Sequence, residues 1–71
     1  MSWSIYEDNQ LLNETIDYTI QELAIIHNRT FEEITDRIVK LARDMIKRNN
    51  ISVYEARLRM GNLVSANLIE E

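Results

Sequence analysis

The chain has 71 residues, and its 12 Asp and Glu against 8 Lys and Arg give a net charge of −4. It has no cysteine, which excludes disulfides, thiol catalysis and cysteine-bound zinc. The absence of proline and the single glycine argue against a turn-rich β architecture.

No apolar run approaches the roughly 20 residues that a membrane span needs, so we expect no membrane association. The first residues, Met1 to Asp8, lack the basic and apolar regions of a signal peptide. We therefore expect a soluble, intracellular protein rather than a secreted one. A nuclear or viral compartment is compatible with this expectation.

The charges are unevenly distributed. Residues 1–28 contain five acidic side chains and no Lys or Arg, whereas residues 29–48 contain six basic side chains against four acidic ones. The acidic total argues against nucleic-acid binding, because phosphate neutralisation provides most of that affinity. The asymmetry between an acidic front and a basic middle segment can orient a partner.

Helix starts are marked by Ser or Thr with Glu three residues later, a pattern typical of capping boxes. The pairs are Ser4 with Glu7, Thr19 with Glu22, Thr30 with Glu33, and Ser52 with Glu55. With the apolar spacing that follows each pair, they predict helices over about 5–16, 20–27 and 31–48, a fourth after Ser52, and a short last helix within 63–69. The predicted fold class is all-α.

The apolar spacing also predicts the core. In the third helix the spacing alternates between 3 and 4 residues, which puts one stripe on the inside. The predicted core side chains of the first three helices are Tyr6, Leu11, Leu12, Ile16, Ile20, Leu23, Ala24, Ile26, Phe31, Ile34, Ile38, Leu41 and Met45. The opposite face of the third helix carries Asp36, Lys40, Arg43 and Lys47.

Nothing in the sequence indicates catalysis. The single histidine, His27, lies at a predicted helix end, where interaction with the helix C-terminus is the simpler role. Glu32 and Glu33 lie at a helix N-terminus, where the helix dipole accounts for them. We therefore predict that the protein is not an enzyme and uses no metal or cofactor.

Two helices joined by a tight turn, after a first helix, are typical of a tri-helical helix-turn-helix. The residues resemble the Myb/SANT-like family in the following positions: Trp3-Ser4, Glu7-Asp8, Leu11-Leu12, Glu22-Leu23-Ala24, Arg29-Thr30, Arg37 and Leu41. The string Ile26-His27-Asn28-Arg29-Thr30 resembles the variant found in large DNA viruses. The resemblance covers Trp3 to about Ala42.

The resemblance implies roles for several residues. Trp3 would anchor the core, Arg29-Thr30 would open the recognition helix, and Arg37 would pair with Glu7 or Asp8. Ile20 and Ile38 stand where Myb repeats carry their later tryptophans. By the same analogy, Thr35, Asp36, Val39 and Lys40 would face base edges.

The predicted organisation is a three-helix domain over residues 1–48 followed by a C-terminal helical hairpin over residues 49–71. Residues 51–69 are rich in apolar side chains. They could form a homodimer or larger assembly surface, or they could complete the core of the monomer, and the sequence leaves both open.

The leading hypothesis is a Myb-like DNA-binding protein with a role in transcription or genome organisation. Its third helix would contact phosphates through Arg29, Lys40, Arg43 and Lys47, with Thr35 and Lys40 nearest the bases. The alternatives are a SANT-like module that binds a basic protein partner, favoured by the acidic front, and a structural or assembly adaptor.

Overall fold

The computed structural model describes residues 2–70. Within this range the chain forms five α-helices and no strand, which confirms the all-α prediction. The helices are α1 (Ile5–Glu14), α2 (Ile20–His27), α3 (Phe31–Asn49), α4 (Val53–Arg59) and α5 (Ala66–Glu70). None of these helices is both long enough and apolar enough to cross a membrane.

Two of the four predicted capping boxes are complete. At the starts of α2 and α3, the hydroxyls of Thr19 and Thr30 accept from the third backbone N–H of the helix, and the glutamate at that position accepts from the backbone N–H of the threonine. Each box satisfies two N–H groups that lack helical partners, which fixes where both helices begin.

The other two boxes are only half formed. Ser4 and Ser52 accept from the backbone N–H groups of Glu7 and Glu55, but neither glutamate returns the contact. Both carboxylates instead bind arginine side chains elsewhere in the chain. The prediction of four complete boxes was wrong here, because an arginine within reach competes for the same carboxylate.

Left-handed residues end three of the helical segments. Asn28 and Asn50 cap α2 and α3 with φ of 54° and 53°, and Gly61 and Asn62 form the turn after α4 with φ of 67° and 57°. A Cβ atom on Gly61 would lie 2.1 Å from the carbonyl oxygen of Thr15. Only glycine fits there, because backbone conformation and space both exclude a side chain.

α3 is the central helix, and it packs against α2, α4 and α5. Its fully buried side chains are Ile34, Ile38 and Ala42, which follow one another at a spacing of four residues. Phe31 was predicted to be in the core but is 52% exposed. It is the first residue of α3, at the edge of the stripe that the neighbouring helices cover.

In α1 the prediction of the core was partly wrong. Leu11 and Thr15 are buried, whereas Tyr6 is 82% and Ile16 70% exposed. Tyr6 precedes Leu11 by five residues, which turns it away from the buried stripe. Ile16 lies beyond the end of α1, where the chain no longer follows the helical face.

The C-terminal segment contributes to the core of the molecule. Ala56, Met60, Val64 and Ile69 are all buried, and α4 and α5 pack on each other as well as on α3. The exposed apolar side chains of this segment are Tyr54, Leu58 and Leu68. The buried side chains of this segment therefore complete the core of the monomer. Of its apolar side chains, only the exposed ones are accessible for self-association.

Candidate nucleic-acid interface and the N-terminal polar cluster

A bidentate ion pair joins α1 to the turn before α3. The Nε and Nη2 atoms of Arg29 both donate to the Glu7 carboxylate over 2.8 Å, and the Arg29 side chain is only 6% exposed. These hydrogen bonds hold the pKa of Glu7 below its usual value, with His27 adding to the effect, and they raise the pKa of Arg29. Arg29, which was predicted to contact phosphates, is therefore largely buried and paired with Glu7.

Trp3 packs against the same guanidinium group. The Arg29 Cζ atom lies 3.7 Å from the centroid of the Trp3 ring, and that of Arg37 lies 5.6 Å away. Arg29 Nη2 also donates to the carbonyl oxygen of Ser2 over 3.0 Å. A cation–π stack and a backbone hydrogen bond therefore fix the N-terminal arm to the helices.

His27 bridges two carboxylates of α1. Its Nδ1 lies 3.1 Å from Glu7 and its Nε2 lies 2.7 Å from Glu14, with the side chain 3% exposed. Sequence reasoning assigned His27 to the helix C-terminus and missed this bridge. No local signal could have revealed it, because the partners lie 20 and 13 residues away.

A second bidentate pair links α1 to α3. Arg37 donates to the Asp8 carboxylate over 2.8 and 2.6 Å, and this contact raises the pKa of Arg37. Of the two predicted partners of Arg37, Asp8 is the one that binds it, while Glu7 binds Arg29. Both arginines are engaged within the fold, and neither is presented to solvent as an isolated cation.

The exposed cations of α3 lie in its C-terminal half. Lys40 donates to Asp44 over 2.9 Å on the surface, which lowers the pKa of Asp44. Lys47 and Arg48 are exposed, and neither forms an ion pair with another residue in the range 2–70. Sequence reasoning omitted Arg48, although its spacing of four from Asp44 and eight from Lys40 could have identified it.

The two remaining predicted DNA contacts are engaged in the fold. Arg43 donates to the carbonyl oxygens of Ile69 over 2.9 Å and Leu68 over 2.7 Å, so it binds the C-terminal end of α5. The Thr35 hydroxyl donates to the carbonyl oxygen of Phe31, and the residue is only partly accessible. Lys40 and Lys47 are the predicted contacts that remain on the open surface.

Residues 2–70 contain no group of three or more histidine, aspartate or glutamate side chains arranged to hold a metal ion. Comparison of the chain with protein-family models, with curated proteins and with solved structures finds no match. The functional argument therefore depends on the geometry described above.

Proposed function

We propose that the protein is a small DNA-binding module of the Myb-like helix-turn-helix type, with α3 as the helix that contacts the duplex. Three residues, 28–30, join α2 to α3, a connection typical of this motif. The residues that carry the family resemblance also contact one another. Trp3 stacks on Arg29, and the two bidentate ion pairs join α1 to the turn before α3 and to α3 itself.

The observation that carries the proposal is the charge on the C-terminal half of α3. Lys40, Lys47 and Arg48 are exposed there, and the nearby Asp44 is held by Lys40. Arg43 lies between them in sequence but binds the end of α5. Three exposed cations along one helix suit phosphate contacts on a duplex.

We expect little base specificity. Thr35 is partly covered, and Asp36 would repel phosphates that lie near any base it contacts. No arginine of the exposed set lies at a position that the resemblance assigns to base contacts, so the bidentate arginine–guanine contact is missing. Binding should therefore be dominated by the DNA backbone.

Fluorescence anisotropy with a labelled random-sequence duplex tests the proposal. Three phosphate contacts predict that affinity falls roughly 40-fold between 50 and 200 mM salt. Lys47→Glu should weaken binding and reduce the slope of log affinity against log salt by about 1 or more.

Arg59→Glu is the matched control, since it makes the same charge change on the exposed surface of α4. It should leave the affinity within about twofold. No binding at 50 mM salt, or an equal loss in both variants, would overturn the proposal.

A protein-interaction or assembly role is the second candidate, and exposed apolar side chains favour it. Ile5, Tyr6, Ile16, Ile25 and Tyr54 are each at least 70% exposed. A basic protein partner has less support, because three of the five acidic side chains in residues 1–28 bind arginine or histidine side chains within the fold. Self-association in sedimentation experiments, without duplex binding, would favour this candidate.

A further inference from the structure

A groove of about 420 Å³ runs between α1 and α3. Its floor includes Leu12, Leu41 and Met45, which are partly buried apolar side chains packed against the core. α3 packs closely on α2, α4 and α5, whereas α1 is less closely packed. The apolar floor thus remains accessible along one side of the central helix.

The rim of the groove has a positive bias on an acidic molecule. Asp8 pairs with Arg37, and Asp44 pairs with Lys40, so the two carboxylates on the rim are compensated. Arg48 also lines the groove, and its charge is not matched by a carboxylate within 4 Å in residues 2–70. A ligand that covers the apolar floor would therefore meet one uncompensated cation.

The length of the groove indicates the kind of ligand. Its wall on α3 extends from Arg37 to Asn49, which corresponds to roughly 18 Å at the rise of an α-helix. Three turns of a second helix match this length, and their side chains at i, i+4 and i+7 would lie along the floor.

We propose that this groove binds an amphipathic helix of a partner protein, with carboxylates flanking its apolar stripe. Acidic flanks complement Arg48, whereas basic flanks would be repelled by it. This binding activity differs from the proposed DNA binding but would compete with it, because Lys40 and Arg48 line the groove and are also proposed phosphate contacts.

The test uses the full chain with isotopic labels and two synthetic helical peptides roughly 14 residues long. Both carry leucines at 3-4 spacing; one has glutamate and the other lysine at the flanking positions. The acidic peptide should shift the NMR signals of Leu12, Leu41 and Met45 in a saturable manner. The basic peptide should bind at least about fivefold more weakly.

Two neighbouring variants then separate the groove from general electrostatics. Arg48→Glu should weaken the acidic peptide about fivefold. Lys47→Glu makes the same charge change one residue away, does not line the groove, and should leave peptide affinity within about twofold. Because Lys47→Glu is also expected to weaken DNA binding, the two proposals can fail independently.

Several results would overturn the groove proposal. The first is an equal loss of peptide affinity in both variants, and the second is NMR shifts confined to residues outside the groove. The third is no binding of either peptide at millimolar concentration. The fourth is NMR shifts of the groove residues that change with protein concentration in the absence of peptide. The last result would identify a second copy of this chain as the occupant. Circular dichroism should show unchanged helicity in both variants, since both positions are exposed.

Discussion

The Arg29 guanidinium depends on Glu7 more than on any other group around it. Glu7 accepts two of its hydrogen bonds, while Trp3 covers one face of the group. The Nη1 atom is buried without a hydrogen-bond acceptor, and the Glu33 carboxylate lies 3.7 Å from it. Loss of the Glu7 charge would leave a covered cation with few remaining partners.

Glu7→Gln should therefore lower the free energy of unfolding at pH 7 by about 2 kcal/mol. The folded-state pKa of Glu7 is below its unfolded value, so its contribution is present above that unfolded value, about pH 4.3. It is lost as the pH falls through the folded-state pKa. The variant should consequently lose less stability than the wild type on acidification.

Urea unfolding at pH 7, 5 and 3 measures both effects. Part of the acid dependence will remain in the variant, because the pKa values of Glu33 and Asp44 are also lowered. Glu32→Gln is the control, since Glu32 is exposed and the change should cost at most about 0.5 kcal/mol. If the free energy of unfolding of Glu7→Gln falls with pH as much as that of the wild type, this account of the ion pair is wrong.

Removal of the N-cap side chain should lower the free energy of unfolding more at a helix that begins with a complete capping box than at a helix with half a box. At the start of α3 the Thr30 hydroxyl accepts from the backbone N–H of Glu33, and this contact helps to hold the Glu33 carboxylate that accepts from the backbone N–H of Thr30. At the start of α4, Ser52 accepts one hydrogen bond and no second contact depends on it. Thr30→Ala should cost about 1–2 kcal/mol and Ser52→Ala about 0.5–1 kcal/mol. Urea unfolding of the two variants tests this order, and an equal or reversed order would be inconsistent with it.

Local signals made the helices predictable. Hydroxyl caps at Thr19 and Thr30 and the asparagines that end α2 and α3 act within a few residues, so the sequence contains the information needed to find the ends of these two helices. The central stripe of Ile34 and Ile38 was predictable for the same reason, since helical periodicity alone puts these two side chains on one face.

Contacts between helices were less predictable. The spacing of five residues puts Tyr6 and Leu11 on different faces of α1, but no local pattern determines which of these faces lies against the core. The bridge from His27 to Glu14 depends on the angle between α1 and α2. Arg43 was predicted to contact DNA because it lies on the outer face of α3, yet α5 comes close enough for its carbonyl groups to bind this side chain.

Folding redistributes the charge of the molecule. Along the sequence, residues 1–28 form an acidic front, but Glu7, Asp8 and Glu14 face cationic or imidazole groups in the folded chain. The cations at the C-terminal end of α3 have fewer such partners. The surface that a ligand meets is therefore more basic at this end than the net charge of −4 indicates, which supports α3 as the binding helix.

The packing of α4 and α5 on α3 indicates that α1, α2 and α3 need the C-terminal segment to fold stably. Met60, Val64 and Ile69 are buried, and burial of each large apolar side chain contributes about 1.5–3 kcal/mol. A single core in a domain of this size supplies only about 3–5 kcal/mol of net stability. A chain that ends at residue 50 should therefore show no cooperative thermal transition by circular dichroism.

The matched control for this truncation keeps the full chain and changes exposed apolar side chains of the same segment. Tyr54→Ser and Leu68→Ser remove side chains that are 70% and 41% exposed, so the double variant should retain a cooperative transition. If the truncated chain also melts cooperatively, within about 5 °C of the full chain, the three-helix segment is an independent domain and α4 and α5 are an accessory. Loss of cooperativity only on truncation would show that the five helices share one core.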